Sequence, residues 1–438
     1  MRYFILISLV FIHTARGQKP TPDPVQHLQP TVFALTMVMI HDVANPPAAS
    51  RFYTYCLLGA HEIVAQHTPE IPPATQFIRS FKTIPVESSA PYNHQIAALF
   101  CMLETGRLML PSGYMLEEEQ QKLTESLRKE GYTNAMITQA KTVADGVAKK
   151  IVAYAAADHY LKLSTRLRYR PIRGDGFWYP TPPGYMEAIE PHWRTIRPML
   201  IDTCSQFRAE PPVAFSNDST SAFYKLAYEV YHEGKNLDEK KRFIASYWDC
   251  NPFAINTSGH MMIGFKKISP GGHWMNITSI ATRKAGLDFA RSIQVHTLVA
   301  ATLMDAFISC WDEKYRSNRI RPETVINRFI DPRWQPLLQT PPFPEYTSGH
   351  SVISTAVAEV LTYLMGDHFA FTDDTEVLFD MPTRDFQSFR EAAAEAAISR
   401  LYGGIHYRDA IESGQKQGSA IGAFVIEKVK KAGIKPIR

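Results

Sequence analysis

The chain has 438 residues, 45% of them hydrophobic and 21% charged, an ordinary balance for a globular protein and enough length for one large core or two smaller ones. Its net charge of +4 is dispersed without a basic run, which argues against nucleic acid as a partner. Five cysteines, Cys56, Cys101, Cys204, Cys250 and Cys310, are too few for a disulfide scaffold, and their odd number leaves at least one free thiol.

The chain opens on Arg2, an apolar run from Tyr3 to Ile12 and then Ala15-Arg-Gly17, the pattern of a secretory signal peptide with small residues flanking the cleavage site. Residues 1–17 are therefore expected to be removed, leaving a secreted or periplasmic protein that begins near Gln18. No cysteine follows the junction until Cys56, so no lipoprotein anchor is expected. Beyond the leader no apolar run reaches the length of about eighteen residues that a membrane span needs, so no integral membrane segment is expected.

Apolar residues recurring by three and four predict an overwhelmingly helical chain. Helices are expected over 31–44, 47–67, 90–109 and 114–130, followed by a long one whose stripe carries Ile137, Ala140, Ala144, Val147, Ile151 and Tyr154. Residues 18–162 thus read as an N-terminal helical bundle. Between 163 and 215 the chain turns to Pro, Gly, Arg and aromatics, as in Gly174-Asp-Gly-Phe-Trp-Tyr-Pro-Thr-Pro-Pro-Gly184, and reads as a long ordered connection between bundles or at a pocket mouth. From 216 to 438 helices are expected over 220–235, 281–309, 350–366, 385–401 and 408–432, a second helical domain, with no alternating strand. His260 and His273, in a Gly-rich stretch, and Trp248 and Trp274 read as structural residues.

Three blocks in this second domain carry chemistry. The first is Lys314-Tyr-Arg-Ser-Asn-Arg-Ile-Arg321-Pro322, the second Pro341-Pro-Phe-Pro-Glu-Tyr-Thr-Ser-Gly-His350, the third Ser399-Arg-Leu-Tyr-Gly-Gly-Ile-His406-Tyr-Arg-Asp409. A multiply charged tetrahedral oxyanion needs several fixed cations, and guanidinium groups hold two oxygens at once. Lys314 and Arg321 are spaced by two helical turns, so one helix face is expected to present both before Pro322 ends the regular backbone. Ile353, Val357, Val360 and Leu364 form the stripe of a helix that begins at Ser348-Gly349, placing free N–H groups and the positive end of the helix dipole beside the anion. Phe386, Phe389, Ala393 and Ala396 run on to Arg400, after which Gly403-Gly404 breaks the helix and lets His406 approach from a new direction.

These blocks, over roughly residues 311–410, resemble the signature of the type 2 phosphatidic acid phosphatase (PAP2) superfamily, which includes soluble acid phosphatases, lipid phosphatases and vanadium-dependent haloperoxidases. The resemblance implies an all-α fold of two helical bundles with the oxyanion site in the C-terminal one. It implies that His406 binds vanadium or attacks phosphorus, that His350 is the acid/base, and that Lys314, Arg321, Ser348, the Gly349 N–H and Arg400 hold the oxygens of vanadate, or of phosphate in the same site. Asp409 would orient His406, although it follows that histidine by three positions where the family usually has an acidic residue at the fourth. Thr347 replaces the proline that commonly precedes Ser-Gly-His, which should loosen the turn. Trp311 and Phe343 resemble the halide-side aromatics of the chloroperoxidase-like branch, whereas bromide-selective relatives tend to carry a histidine at the Phe343 position.

The expected function is that of a vanadate-dependent haloperoxidase oxidising halide, bromide first and chloride second, with hydrogen peroxide. The alternative is a secreted soluble acid phosphatase acting through a phosphohistidine at His406. A protein that merely binds an oxyanion is disfavoured, because binding alone has no need of the His350 and His406 pair.

Overall fold

The computed structural model describes residues 23–258, 261–264 and 266–437. The expected signal peptide, residues 1–17, and His260 lie outside the described residues. Among the described residues, thirteen α-helices account for just over half: α1 (Leu28–His41), α2 (Pro46–Ala65), α3 (His94–Met109), α4 (Leu116–Lys129), α5 (Asn134–Ala156), α6 (Ala222–Lys235), α7 (Glu239–Tyr247), α8 (Pro270–Lys284), α9 (Phe289–Ser317), α10 (Pro322–Phe329), α11 (Gly349–Met365), α12 (Phe389–Tyr402) and α13 (Arg408–Lys431). Many starts are set by side chains that accept from otherwise unpaired backbone N–H groups, such as Asn45 from Ala48, Thr133 from Met136 and Ser348 from Ser351.

Helix α9 is the spine. It is buried over nearly its whole length, packing on α2 on one side and on α11 on the other, so one continuous apolar core runs from α2, α3 and α5 through α9 into α11, α12 and α13. It is also apolar and long enough to cross a membrane, but that stretch is wholly enclosed by protein. Each large aliphatic or aromatic side chain buried in this way contributes about 1.5–3 kcal/mol. Helix α13 comes close to α11 because small residues face it: a Cβ on Gly418 would stand 2.3 Å from the Val352 carbonyl oxygen. None of the five cysteines is paired.

The helix expected over 281–309 is two helices. Gly286 adopts φ 63°, ending α8, and Asp288 accepts from the Arg291 N–H to start α9, which then runs eight residues beyond the expected end, to Ser317. Most of α8 is hidden in sequence by Pro270-Gly-Gly272; at Gly272 a Cβ would meet Ile268 at 2.7 Å, so this helix starts where its backbone must come close to a neighbour. The short α7 and α10 were likewise not expected. Two small antiparallel hairpins also appear, Ile255–Ser258 with Met261–Gly264 and Phe371–Asp373 with Arg384–Phe386, each too short to show an alternating pattern.

Residues 166–221 carry no α-helix; they pack on α9, and none of them lines the cavity that His350 and His406 share. The Ile189 carbonyl accepts from Trp311 Nε1 (3.2 Å) and from the Tyr315 hydroxyl, and the Met199, Leu200 and Ile201 N–H groups all donate to the buried carboxylate of Asp305.

Candidate active site

Lys314 and Arg321 do not share a helix. Asn318 takes a left-handed conformation (φ 49°) that ends α9, and Arg321 is extended (φ −81°, ψ 151°) because the following Pro322 disfavours helical backbone before it and itself starts α10. The turn delivers Arg321 to the site from a second direction. Arg321 Nε donates to the Phe343 carbonyl (2.9 Å) and Nη1 to the Ile405 carbonyl (2.9 Å), with Nη1 3.2 Å from His406 Nε2. Lys314, fully buried, donates to the carbonyls of Pro344 (3.2 Å), Glu345 (3.1 Å) and Thr347. It fastens the 344–347 loop behind the site, and burial presses its pKa down to about 8.

Ser348 caps α11, its Oγ accepting from the Ser351 N–H and hydroxyl, and its own N–H donates to the Ala410 carbonyl at the start of α13. Thr347 does not loosen this turn. Its hydroxyl donates to Gln417 Oε1 (2.7 Å) and its carbonyl takes Lys314, so side-chain and backbone bonds replace the rigidity of a proline. In the first turn of α11, His350 presents a buried Nε2 that has no hydrogen-bond partner among the described residues. Burial, then Arg400 and His406, push its pKa well below the ordinary histidine value, so the imidazole is neutral.

Arg400, in the last turn of α12, donates through Nε to Ser399 Oγ (2.9 Å) and through Nη2 to the carbonyls of Trp248 (2.6 Å) and Ala245 (3.3 Å). Gly404, at φ 76°, then turns the chain, and His406 enters beside Arg321. Burial first, then Arg321, Lys314, Arg400 and Arg319, drive the His406 pKa well below ordinary.

The carboxylate that orients His406 is Glu345, not Asp409. Glu345 Oε1 accepts from His406 Nδ1 (2.7 Å) and from the Tyr407 N–H (3.1 Å), which fixes the proton on Nδ1 and leaves the Nε2 lone pair to accept from Arg321 Nη1 (3.2 Å). Asp409 is one link further out: it takes Arg319 Nη1 (2.8 Å), whose same nitrogen stands 3.4 Å from Glu345 Oε2. The three-residue spacing explains this, since Asp409 falls in the first turn of α13 and points back at Arg319. Burial raises the Glu345 pKa while Arg319, Arg321 and Lys314 oppose it. Glu345 and Arg319 both lie inside the quoted blocks; an acid three residues before Ser348, amid cations, was the signal available for it.

His350, Arg400 and His406 share a cavity of about 40 Å³ with Phe307, Trp311 and Phe343. The Trp311 and Phe343 ring centroids are 5.0 Å apart and form one apolar wall of this cavity, which Gly349, 3.8 Å from Trp311 at its would-be Cβ, also lines. A tetrahedral oxyanion fits these residues. Arg321 Nη2, like His350 Nε2, is a buried nitrogen with no partner among the described residues, and the His406 Nε2 lone pair meets only Arg321 Nη1, 3.2 Å away. An anion at their focus would supply the missing acceptor and a metal centre for the imidazole.

Comparison with known proteins agrees with this geometry. The VCPO second helical-bundle domain family matches residues 294–433. The crystal structure of the first bacterial vanadium-dependent iodoperoxidase superposes with a TM-score of 0.87 at 42% identity, covering 94% of this chain and 98% of that one. The apo and holo forms of a bacterial vanadium-dependent chloroperoxidase share the fold, each at a TM-score of 0.66: the apo form at 15% identity over 88% of this chain and 94% of its own, the holo form at 17% over 95% of each. No curated protein sequence matches the chain significantly.

Proposed function

We propose that this chain, which belongs to the vanadium-dependent haloperoxidases, oxidises iodide and bromide with hydrogen peroxide in the cavity between His350, His406 and the Trp311–Phe343 wall. Its cofactor is vanadate, which when bound activates hydrogen peroxide for oxygen transfer to the halide. His406 would hold the vanadium through Nε2, with Glu345 keeping the proton on the opposite ring nitrogen. Arg321 and Arg400, the Ser348 hydroxyl and the Gly349 N–H would hold the oxygens, with Lys314 supplying charge from behind the loop. His350 lines the cavity, is neutral and has an unpartnered Nε2, so it can take a proton from an incoming acid and return it to a leaving oxygen.

Trp311 and Phe343 would leave a halide there poorly hydrated, which favours its oxidation. Iodide gives up electrons most readily and should be the fastest substrate, bromide next and chloride last; the 42% identical relative being an iodoperoxidase supports that order. The single observation that carries the reading is a neutral histidine whose Nε2 lone pair is turned toward a buried arginine by a carboxylate on its other ring nitrogen, in a cavity lined by Trp311 and Phe343. The test is peroxide-dependent oxidation of iodide, bromide and chloride, with and without vanadate, beside hydrolysis of a phosphomonoester. Efficient ester hydrolysis with no vanadate-dependent halide oxidation would replace this reading by the phosphatase one. The basic and apolar segment at the start of the chain supports export, checked by the mass of the chain recovered outside the cytoplasm.

A further inference from the structure

A second buried polar cluster adjoins the cavity: Cys250 lines it, while His273 and Glu376 stand behind Cys250 and do not. Cys250 follows α7, His273 lies in the first turn of α8, and Glu376 comes from the 3-10 helix Thr375–Phe379; all three are buried. His273 Nδ1 stands 3.5 Å from Cys250 Sγ and 3.2 Å from Glu376 Oε1, and the three ligand atoms lie within 4.8 Å of one another. On its other side, His273 Nε2 is 2.6 Å from Asp373 Oδ2, and Asp373 Oδ1 accepts from the Thr375 N–H and hydroxyl. Trp248 stacks on the imidazole at 4.6 Å.

We propose that Cys250, His273 and Glu376 form a site for a zinc-type ion, with three protein ligands and a fourth position left to water. A tetrahedral ion with Zn–S of about 2.3 Å and Zn–N and Zn–O of about 2.0–2.1 Å puts its N···S edge near ~3.6 Å and its N···O edge near ~3.3 Å. The two distances from Nδ1 already have those lengths. Without a cation the cluster is under-served: Nδ1 carries at most one proton, which cannot bond both Sγ and Oε1, and Glu376 Oε1 is buried with no hydrogen bond. A cation at the focus of the three satisfies all of them. Asp373, bonded to the far ring nitrogen, completes the carboxylate–histidine–metal arrangement that fixes the tautomer of a ligating imidazole.

A thiolate, an imidazole and one carboxylate select zinc over calcium or magnesium, and binding releases the Cys250 thiol proton and any proton on Nδ1. The ion would staple three separate segments. One of them carries Trp248, whose carbonyl accepts from Arg400, so the staple also supports the oxyanion site.

The test uses the full chain after treatment with a chelator. Zinc titrated against a chromogenic chelator should bind with a stoichiometry of one per chain, and cobalt should give a thiolate-to-metal charge-transfer band. Cys250→Ser should lose that band, and both it and Glu376→Gln should weaken zinc binding by roughly a hundredfold or more, with Asp373→Asn weakening it about 10- to 100-fold. Cys204→Ser should bind as the parent does. Parent protein that is folded yet binds no zinc and shows no cobalt band overturns the proposal, as does unchanged binding in both ligand variants. Circular dichroism identifies a variant that fails to fold, and the cobalt band of the parent then decides alone.

Discussion

His406 and His273 are each buried, and each has a carboxylate within about 2.7 Å of one ring nitrogen, yet the two imidazoles end in opposite states. Around His406 stand Arg321, Lys314, Arg400 and Arg319, and with burial they hold its pKa well below ordinary. Around His273 burial also presses downward, but Asp373 and then Cys250 outweigh it, and in the absence of a bound cation its pKa stands well above ordinary. The local dyad is the same; the next ring of charge decides. A histidine ringed by guanidinium groups keeps a lone pair beside a site for an anion, and one ringed by carboxylates and a thiol keeps its second proton until a cation displaces it. The two lie back to back, joined by Trp248, which stacks on His273 and accepts from Arg400.

The sharpest way to break that contrast is to remove the lone pair on the anion side. His406→Ala should cut vanadate-dependent halide oxidation by roughly a thousandfold or more while circular dichroism stays helical, since the change removes a polar group and little packing. Activity near that of the parent would show that His406 is not the anchor.

Histidines buried with no carboxylate partner isolate the effect of burial. His61 and His296 are pushed down to about 4 by burial alone, against a backbone hydrogen bond that pulls each up. Their folded pKa lies below the unfolded value, so the unfolded chain takes up protons first. Stability is fully present above about pH 6.5 and is lost as pH falls toward 4, at about 3 kcal/mol for each histidine at pH 4. Urea unfolding at pH 7 and pH 4.5 measures this, and His296→Gln should flatten part of the slope. An acid slope unchanged in that variant would mean that His296 titrates normally.

Next in size is the ring of charge itself. Arg321→Met or Arg400→Met leaves anion oxygens without a charged donor and should weaken vanadate by about 2–4 kcal/mol, read by titration with vanadate. Glu345→Gln keeps the shape but lets an amide face Nδ1, which favours the tautomer with the proton on Nε2; vanadate binding should weaken about 10- to 100-fold. The smallest effect separates the two acids. Asp409→Asn reaches His406 through Arg319 and Glu345, so a change of about threefold or less in halide oxidation is expected, and a larger loss than in Glu345→Gln would reverse the order of the two carboxylates.

The amphipathic stripes of α5 and α11 were legible because each buries one face, which a period near 3.6 reports directly. Helix α8 was not, since it is buried nearly all round and opens on Pro-Gly-Gly, where local propensity argues for a turn and tertiary contact overrides it. The break between α8 and α9 lay in a run apolar enough to read through, although Gly286 and Asp288 mark it.

By itself the sequence determined the helical class and the Lys, Arg, Ser-Gly-His and Arg–His set, because periodicity and motif spacing are local and survive without coordinates. Only the tertiary structure decided that Glu345 rather than Asp409 faces His406 across 61 residues, that Lys314 ties down a loop, and that Cys250, His273 and Glu376 meet. Those are encounters between distant segments, made by the packing of α9, α11, α12 and α13. Charge acts through distance in space, so which imidazole stays neutral is settled only when the chain has closed around it.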